Sequence, residues 1–246
     1  MSASSSHRGL SIVVPMYDEA EGVATLVARL SEFVASEGAR RPVELILVDD
    51  GSRDGTWDAL LAAVPAGDAR WHCLRHPANR GLTAALRTGS DAATMPLVAW
   101  LDADLSYEVA TLGRLAEALD GGAAFATASC HARGGRIDGV SWFRAWLSRQ
   151  ASRLYRIATG HRVATFTCMV RAQEREVLLA TWPERAGFLG VTEQMLRVLA
   201  RGARVAEVPA TLRARRTGRS KLRVLRAIRA HLGLVAAARR DFSRRA

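Results

Sequence analysis

The sequence predicts an α/β fold, with a single Rossmann-like, mostly parallel sheet flanked by helices. Three observations predict it. Short apolar runs recur through the first hundred residues, stretches of helical periodicity separate them, and each run ends in a polar or acidic cluster. Strands of a parallel sheet are covered on both faces, so they read as near-continuous apolar runs, and alternation with helical patterns signals parallel crossovers.

LSIVVP (10–15), VELILV (43–48), WHCLRH (71–76) and PLVAWL (96–101) are the expected strands. Residues 19–37, 54–64 and 80–93 are the helices between them, with Asp18 and Asp54 near plausible caps. Past residue 105 the alternation loosens. A helix is expected near 107–120, a strand over 123–129, a glycine-containing loop HARGGRIDG (131–139) and a long helix from about 141 to 158. A strand near 165–171, a helix over 189–201 and a last strand ARVAEVP (203–209) complete the reading. No internal repeat or low-complexity linker interrupts it, so one domain is expected.

Composition narrows the function classes. No apolar run approaches the roughly 18 residues needed to cross a bilayer, and the opening MSASSSHRG has no apolar core, so the reading is neither membrane-spanning nor secreted. Three widely spaced cysteines, Cys73, Cys130 and Cys168, give neither a disulfide framework nor a zinc pattern, and a reducing cytoplasm is the expected home. Formal charge is +11, from 35 Lys and Arg against 24 Asp and Glu, with much of the excess in residues 213–246. Such a balance suits phosphate groups, anionic lipid or nucleic acid, or else a solvated arginine-rich surface. Nucleic acid is not an expected partner, because the basic residues lack interleaved aromatics and no helix-turn-helix or zinc pattern appears.

Ligands of open parallel sheets bind outside the carboxyl ends of the strands. Here those ends read Pro15-Met16-Tyr17-Asp18-Glu19, Asp49-Asp50-Gly51-Ser52 and Asp102-Ala103-Asp104. So many carboxylates on one rim repel each other unless a cation or a hydrogen-bonding ligand offsets them. Asp102 and Asp104, one residue apart after a strand, suit Mg²⁺ or Mn²⁺, which takes one or two carboxylates and completes its shell with water and substrate phosphates. A polar turn in which the aspartates merely cap a helix is the alternative for any isolated pair of this kind.

The segments IVVPMYDEAEG, LILVDDGSRDGT, NRGLTAALRTGSDAA and VAWLDADLS, in this order and spacing, resemble the nucleotide-binding half of family 2 glycosyltransferases with the GT-A fold. Within that family the likeness is to dolichyl-phosphate mannose synthases and related polyprenyl-phosphate glycosyltransferases, over roughly residues 10–225. The resemblance implies a nucleotide-sugar-binding half at 10–106, an acceptor half at 107–222, a disordered tail at 1–9 and a basic amphipathic C-terminal helix and tail at 223–246.

It also implies roles. Pro15, Tyr17 and Glu19 would lie beside the nucleoside and Asp50 would hydrogen-bond the base. Asp102 and Asp104, with Ala103 between them, would hold the metal that bridges the donor diphosphate, which makes Asp104 a catalytic residue. Asp49 is expected to support its turn rather than touch ligand. RRTGRSKL (215–222) resembles a flexible basic loop with Arg215, Ser220 and Lys221 at the matching positions, where the guanidinium and the ammonium would clamp the diphosphate; a solvated basic turn is the alternative. GFLGVTEQML (187–196) places Glu193 near the acceptor, either as the general base a hydroxyl acceptor needs, as a group orienting the acceptor, or as a surface carboxylate. The QxxRW signature of processive relatives is missing, which implies one transfer per acceptor.

The acceptor side departs from the family pattern. Where polyprenyl-phosphate enzymes read GSRY, this chain reads Ala128-Ser129-Cys130-His131, without the arginine; Arg144 and Ser148 keep the R-x-x-x-S acceptor-phosphate pair. The D-x-T-x-G-x-R stretch reads Thr165-Phe166-Thr167-Cys168-Met169-Val170-Arg171, keeping threonine and arginine only. A charge-assisted phosphate contact is worth roughly 1.5–3 kcal/mol, so one missing arginine can redirect acceptor choice. The expected reaction is inverting sugar transfer from a nucleotide diphosphate sugar to a lipid phosphate, with a soluble hydroxyl acceptor as the alternative. The last helical stretch carries Val224, Ile228, Leu232 and Val235 on one face and Arg223, Arg226 and Arg229 on another. It either lies on an anionic membrane surface, at the inner face of the membrane, or packs on the domain's own core.

Overall fold

The computed structural model describes residues 7–214 and 224–242, the side chains of 224–227 excepted. In chain order the elements are β1 (Leu10–Met16), α1 (Ala20–Glu37), β2 (Val43–Asp49), α2 (Thr56–Ala63), β3 (Trp71–Arg75), α3 (Leu82–Ala92) and β4 (Leu97–Trp100). Then come α4 (Thr111–Asp120), β5 (Phe125–Ser129), β6 (Arg136–Asp138), α5 (Trp142–Thr159), β7 (Arg171–Glu174) and α6 (Arg175–Ala180). The chain closes with α7 (Gly187–Ala200), β8 (Val205–Pro209), β9 (Thr211–Arg213) and α8 (Val224–Asp241).

Seven strands form one sheet in the order β3-β2-β1-β4-β7-β5-β8, and β6 pairs with β9 beside it. β7 alone runs against its neighbours β4 and β5; the other pairings in the main sheet are parallel. Alternate side chains divide between two cores, as a period of two requires. Leu10, Ile12 and Val14 of β1 join α1 and α4 on one face, while Val13 joins α3 on the other. Gly89 lets α3 press onto the second face, because a Cβ there would collide with Val13 Cγ1 and meet Val48 Cγ2 at 3.1 Å. A third cluster, Phe125, Tyr155, Phe166, Met195 and Leu234 among others, joins α5, α7 and α8 to the sheet's far end.

The first four strands and three helices fall within two residues of their expected positions at every boundary. Elsewhere the structure differs from expectation: α4 starts at Thr111 rather than near 107, and β6, α6 and β9 are additional elements. Residues 165–170 are not a strand: the amides of Ala164 and Thr165 donate to Glu207 (2.8 and 2.9 Å) and that of Phe166 to Ser152 Oγ (3.2 Å). Side chains thus take bonds a ladder would need, and pairing begins at Arg171. The tail expected over 1–9 is tied down from His7 onward. His7 and Arg8 pair with Asp120 (3.0 and 3.3 Å) and Arg8 with Glu174 (2.7 Å), next to the fully buried Arg41, which bridges Glu37 (2.7 Å) and Asp120 (3.0 Å). Finally, α8 buries Leu234, Ala237 and Ala238, while Leu232, assigned to its apolar face, is exposed. Tyr155 of α5 meets His231 Nδ1 at 2.9 Å, so the helix packs on the domain's own core, the second of the two arrangements expected for it.

Candidate functional site

The carboxyl ends of β1, β2 and β4 share one rim because these strands are adjacent and parallel. Backbone bonds continue past the strands: the Asp50 amide donates to Met16 O (2.8 Å) and that of Leu101 to Val13 O (3.1 Å). The segments 15–19, 49–52 and 101–106 therefore emerge side by side, as the sequence requires of a ligand rim.

The first two are clasped together. Asp18, at φ 51°, accepts the Arg53 amide (3.0 Å) while its own amide donates to Ser52 Oγ (2.9 Å). The Glu19 amide donates to Thr56 Oγ1 (2.9 Å). Asp54 serves two helix starts at once, taking the Ala20 amide (3.1 Å) at α1 and the Thr56 amide (3.0 Å) at α2. Asp54 thus stands beside the N-cap Gly55, near a cap as expected, whereas Asp18 fastens two loops. Asp49 supports its turn: Oδ1 accepts the Ser52 amide (3.0 Å), and Arg75 Nε lies 3.1 Å from Oδ2 as an ion pair without hydrogen-bond alignment.

Asp50 has the densest network. Oδ1 accepts the Arg80 amide (2.9 Å) and meets His76 Nδ1 (2.6 Å); Oδ2 accepts the Gly81 amide (2.8 Å) and Asn79 Nδ2 (2.9 Å). The carboxylate that the resemblance assigned to the base therefore organises the loop at 76–81 that opens α3, and a base would have to share an oxygen already doubly engaged. Gly51 makes this approach possible: at φ +71° its Cβ would lie on the backbone of Ala78 and Asn79. His76 and Asn79 are missing from the sequence-derived site, because neither the hydropathy of the third strand nor its spacing marks them as partners of a residue 26 to 29 positions earlier.

On the third segment, Asp104 is 8% exposed and its Oδ1 accepts the Ser106 amide (2.9 Å); Leu105 between them takes φ 53°. Asp102 is half-buried. Beneath lies Arg171, fully buried between the Trp100 and Phe125 rings (5.6 and 5.3 Å), donating to Val191 O (2.8 Å), Gln194 Oε1 (3.1 Å) and Cys168 O. Burial pushes its guanidinium down to about 10, against the pull of Cys168 and Asp102. Burial likewise pushes the Cys168 thiol up to about 12, which leaves it an inert thiol. Two carboxylates one residue apart fit a hard divalent ion. Among the described residues no three His, Cys, Asp or Glu could hold a metal, so its other ligands would be substrate phosphates and water. Tyr17, Glu19 and Pro15 stand on the same rim at the end of β1. Arg215, Ser220 and Lys221 lie outside the described residues.

Glu193 is not on the surface, and both of its carboxylate oxygens are engaged inside the protein. It is 3% exposed; Oε2 accepts the amides of Glu184 (3.0 Å) and Arg185 (2.8 Å), and Oε1 accepts Arg197 Nε (3.1 Å) and Nη2 (2.8 Å). The loop it fixes reaches the start of α3, where Thr83 Oγ1 donates to Arg185 O and Gly187 O (both 3.4 Å). Its geometry is that of a positioning residue.

On the acceptor side, Ser148 Oγ pairs with Thr167 Oγ1 (3.1 Å), and behind it Ser129 with Thr165 (2.7 Å); Arg144 is exposed one turn earlier on α5. His131, past the end of β5, has both ring nitrogens buried and without a hydrogen-bond partner. Burial and then Arg149 hold it below the usual histidine range. A cleft of about 430 Å³ opens on the other flank of the Asp104 loop, between Leu105–Ala110, Arg213 and Ala214 and α1 residues Arg29 to Ser36, and none of the expected site residues lines it.

The model of glycosyl transferase family 2 matches residues 11–181. Polyprenol monophosphomannose synthase of Mycolicibacterium smegmatis is 30% identical over 217 residues, covering 86% of this chain and 80% of that protein. Solved structures with the same fold include glucosyl-3-phosphoglycerate synthase of Mycobacterium tuberculosis in complex with Mn²⁺, UDP-glucose and phosphoglyceric acid (TM-score 0.71, 18% identity, 96% of this chain, 81% of that one). Its complex with Mg²⁺ and UDP matches with TM-score 0.67 and 19% identity, over 96% of this chain and 79% of that one. The expected GT-A fold is thereby shown.

Proposed function

Because this chain belongs to glycosyl transferase family 2, we propose that it moves a single sugar, with inversion, from a nucleoside diphosphate donor to a polyprenyl-phosphate-type lipid. The observation that carries the acceptor choice is Glu193, whose two oxygens are each doubly occupied inside the protein. A hydroxyl acceptor needs a base to take its proton, whereas an ionised phosphate needs none. The relative, which by its name makes polyprenol monophosphomannose, supports the same reading.

In this reading the rim from Pro15 to Glu19 and the loop organised by Asp50 hold the nucleoside. Asp102 and Asp104 would hold Mg²⁺ or Mn²⁺, which supplies Lewis-acid stabilisation of the departing diphosphate. Arg171 offsets part of the charge of Asp102 and fixes the start of β7. Arg144 and Ser148 receive the acceptor phosphate, and Arg215 and Lys221 close over the donor phosphates. An acceptor phosphate oxygen attacks the anomeric carbon as its bond to the diphosphate oxygen breaks, and the nucleoside diphosphate leaves with that electron pair. No proton moves.

A second reading has its own observation. His131, uncharged at neutral pH and with no internal hydrogen-bond partner at either ring nitrogen, would suit a base for a soluble hydroxyl acceptor. Labelled nucleotide sugars with Mn²⁺, offered polyprenyl phosphate or a soluble extract, separate the two. Organic-phase product that survives His131→Gln supports the lipid reading. Product found only in the aqueous phase and lost in His131→Gln rejects it.

A further inference from the structure

Among the described residues, only Asp18 and Leu105 carry a side chain at positive φ, 51° and 53°. Aspartate tolerates that region, whereas leucine adopts it only where its surroundings impose it. Leu105 follows Asp104 directly, so whatever holds this turn against its own preference also decides where the Asp104 carboxylate points. Ser106 is the hub. Its amide donates to Asp104 Oδ1 (2.9 Å), and its carbonyl accepts the Arg213 amide (2.8 Å). The Arg213 guanidinium reaches two residues further and donates to the Glu108 carboxylate, while the Glu108 carbonyl accepts the Thr111 amide (2.9 Å) that opens α4. Arg213 thus grips the turn at two points, once by main chain and once by side chain.

Arg213 can hold the turn because it is itself fixed. β9 pairs with β6, Asp138 opposite Arg213, and the Ala214 amide donates to Asp138 O (2.9 Å). Successive amides of a strand point to opposite edges, so Ala214 binds β6 and Arg213 faces Ser106. At the other end of β9 the Ala210 amide donates to Ser129 O (3.1 Å), the last residue of β5. Downstream of the turn, Tyr107 is 5% exposed with its hydroxyl bonded to the Cys130 and Cys168 thiols. That ring fixes the position of the chain; the direction of the Ser106 carbonyl is set by Arg213. The ion pair itself is weak in stability terms, since the Arg213 and Glu108 side chains are 43% and 55% exposed. Its effect is therefore local.

We propose that Arg213 is a positioning residue for Asp104: it touches neither metal nor substrate, and its clasp keeps Leu105 left-handed so that the carboxylate is presented ready to take a divalent cation. The proposal rests on the reading in which Asp102 and Asp104 hold that cation, and adds to it what prepares the pair. Released from the clasp, a leucine visits the left-handed region only about a tenth of the time or less, and apparent metal affinity falls by the same fraction.

The test follows Mn²⁺ binding to the full chain by the thermal shift at saturating UDP or GDP, whichever shifts the parent. Arg213→Pro deletes the amide donor, and Arg213→Ala removes only the guanidinium. The half-saturating Mn²⁺ concentration should rise about tenfold in the first and about two- to threefold in the second, with the full shift regained at saturating Mn²⁺. Leu105→Gly, which takes positive φ at no steric cost, should recover part of the affinity lost in Arg213→Pro. A merely structural role predicts neither the return at high metal nor the recovery by glycine. Should Arg213→Pro not fold, Arg213→Ala decides alone, because its side chain is half exposed and its ligand-free melting temperature should stay within about 4 °C of the parent's. An unchanged Mn²⁺ dependence in the Arg213 variants, a loss that saturating Mn²⁺ does not restore, or no recovery by Leu105→Gly overturns the proposal. If Asp104→Ala abolishes the Mn²⁺-dependent shift while the Arg213 variants keep the parent's, the metal reading stands and only the positioning role falls. An undiminished shift in Asp104→Ala removes both.

Discussion

Glu193→Gln tests the reassignment of the acceptor-side carboxylate. In the parent protein two backbone donors converge on Oε2 and two guanidinium donors on Oε1. A glutamine amide offers one oxygen and one NH₂. Whichever way it turns, two donors face an NH₂ group, and the charge opposite Arg197 is gone. Two charge-assisted bonds at about 1.5–3 kcal/mol each, in a buried pair broken from one side, place the loss near 3–5 kcal/mol. Glu184 still meets Arg197 at 2.7 Å, but its side chain is 81% exposed, so it compensates little. For a chain of this size each kcal/mol moves the melting temperature by roughly 2–4 °C, so a fall of about 10 °C is expected by calorimetry. In kinetics, KM for the donor should rise together with a drop in kcat, because the loop at 184–187 reaches Thr83 at the donor rim, and the pH profile should keep its shape. A melting temperature within about 1 °C of the parent, together with loss of the acidic limb of the kcat/KM profile, would refute this reasoning and restore Glu193 as a base.

Two further outcomes are expected. Asp104→Ala should abolish the Mn²⁺-dependent thermal shift by a nucleoside diphosphate while leaving the ligand-free melting temperature close to the parent's; an undiminished shift removes the metal assignment. Stability should also fall with acid through two carboxyls. Burial pushes Glu44 up, but Ser11, Thr94 and Met95 outweigh it and hold it below its ordinary value; His7, Arg41 and Arg8 do the same for Asp120 against its own burial. Groups depressed in the folded state contribute fully above their unfolded values, about 4.3 and 3.9, and lose that contribution as pH falls through the lower folded ones. The urea midpoint should therefore drop on going below pH of about 4, and Glu44→Gln should flatten that drop.

The donor half was legible because a parallel sheet with both faces covered writes itself as apolar runs, and its rim as the polar residues that end them. The acceptor half was less so. Residues 165–170 carry the apolarity of a strand, and only the positions of Glu207 and Ser152 in three dimensions decide that side chains take their amides. β9 and α6 have three and six residues, too few to set a period. On α8 the charge pattern pointed to one face and packing against Tyr155 and α7 selected another. At the site, residue type marked Asp50 and Glu193 but not their surroundings: what a carboxylate can do depends on which donors already converge on it. For Asp50 those donors come from a loop about 30 residues away.

The one reversed strand has a structural consequence. β7 begins at Arg171, opposite Trp100 of β4 and Thr127 of β5, so the chain re-enters the sheet from the ligand-facing edge rather than from behind. Everything between Ser129 and Arg171 is therefore an excursion that departs from and returns to that edge, with both anchor points inside the sheet. Such an excursion can be rewritten, in length or in the groups it offers, without disturbing the four parallel strands β1 to β4. The division between a sheet-bound half and an inserted surface that returns to the same edge is built into strand direction.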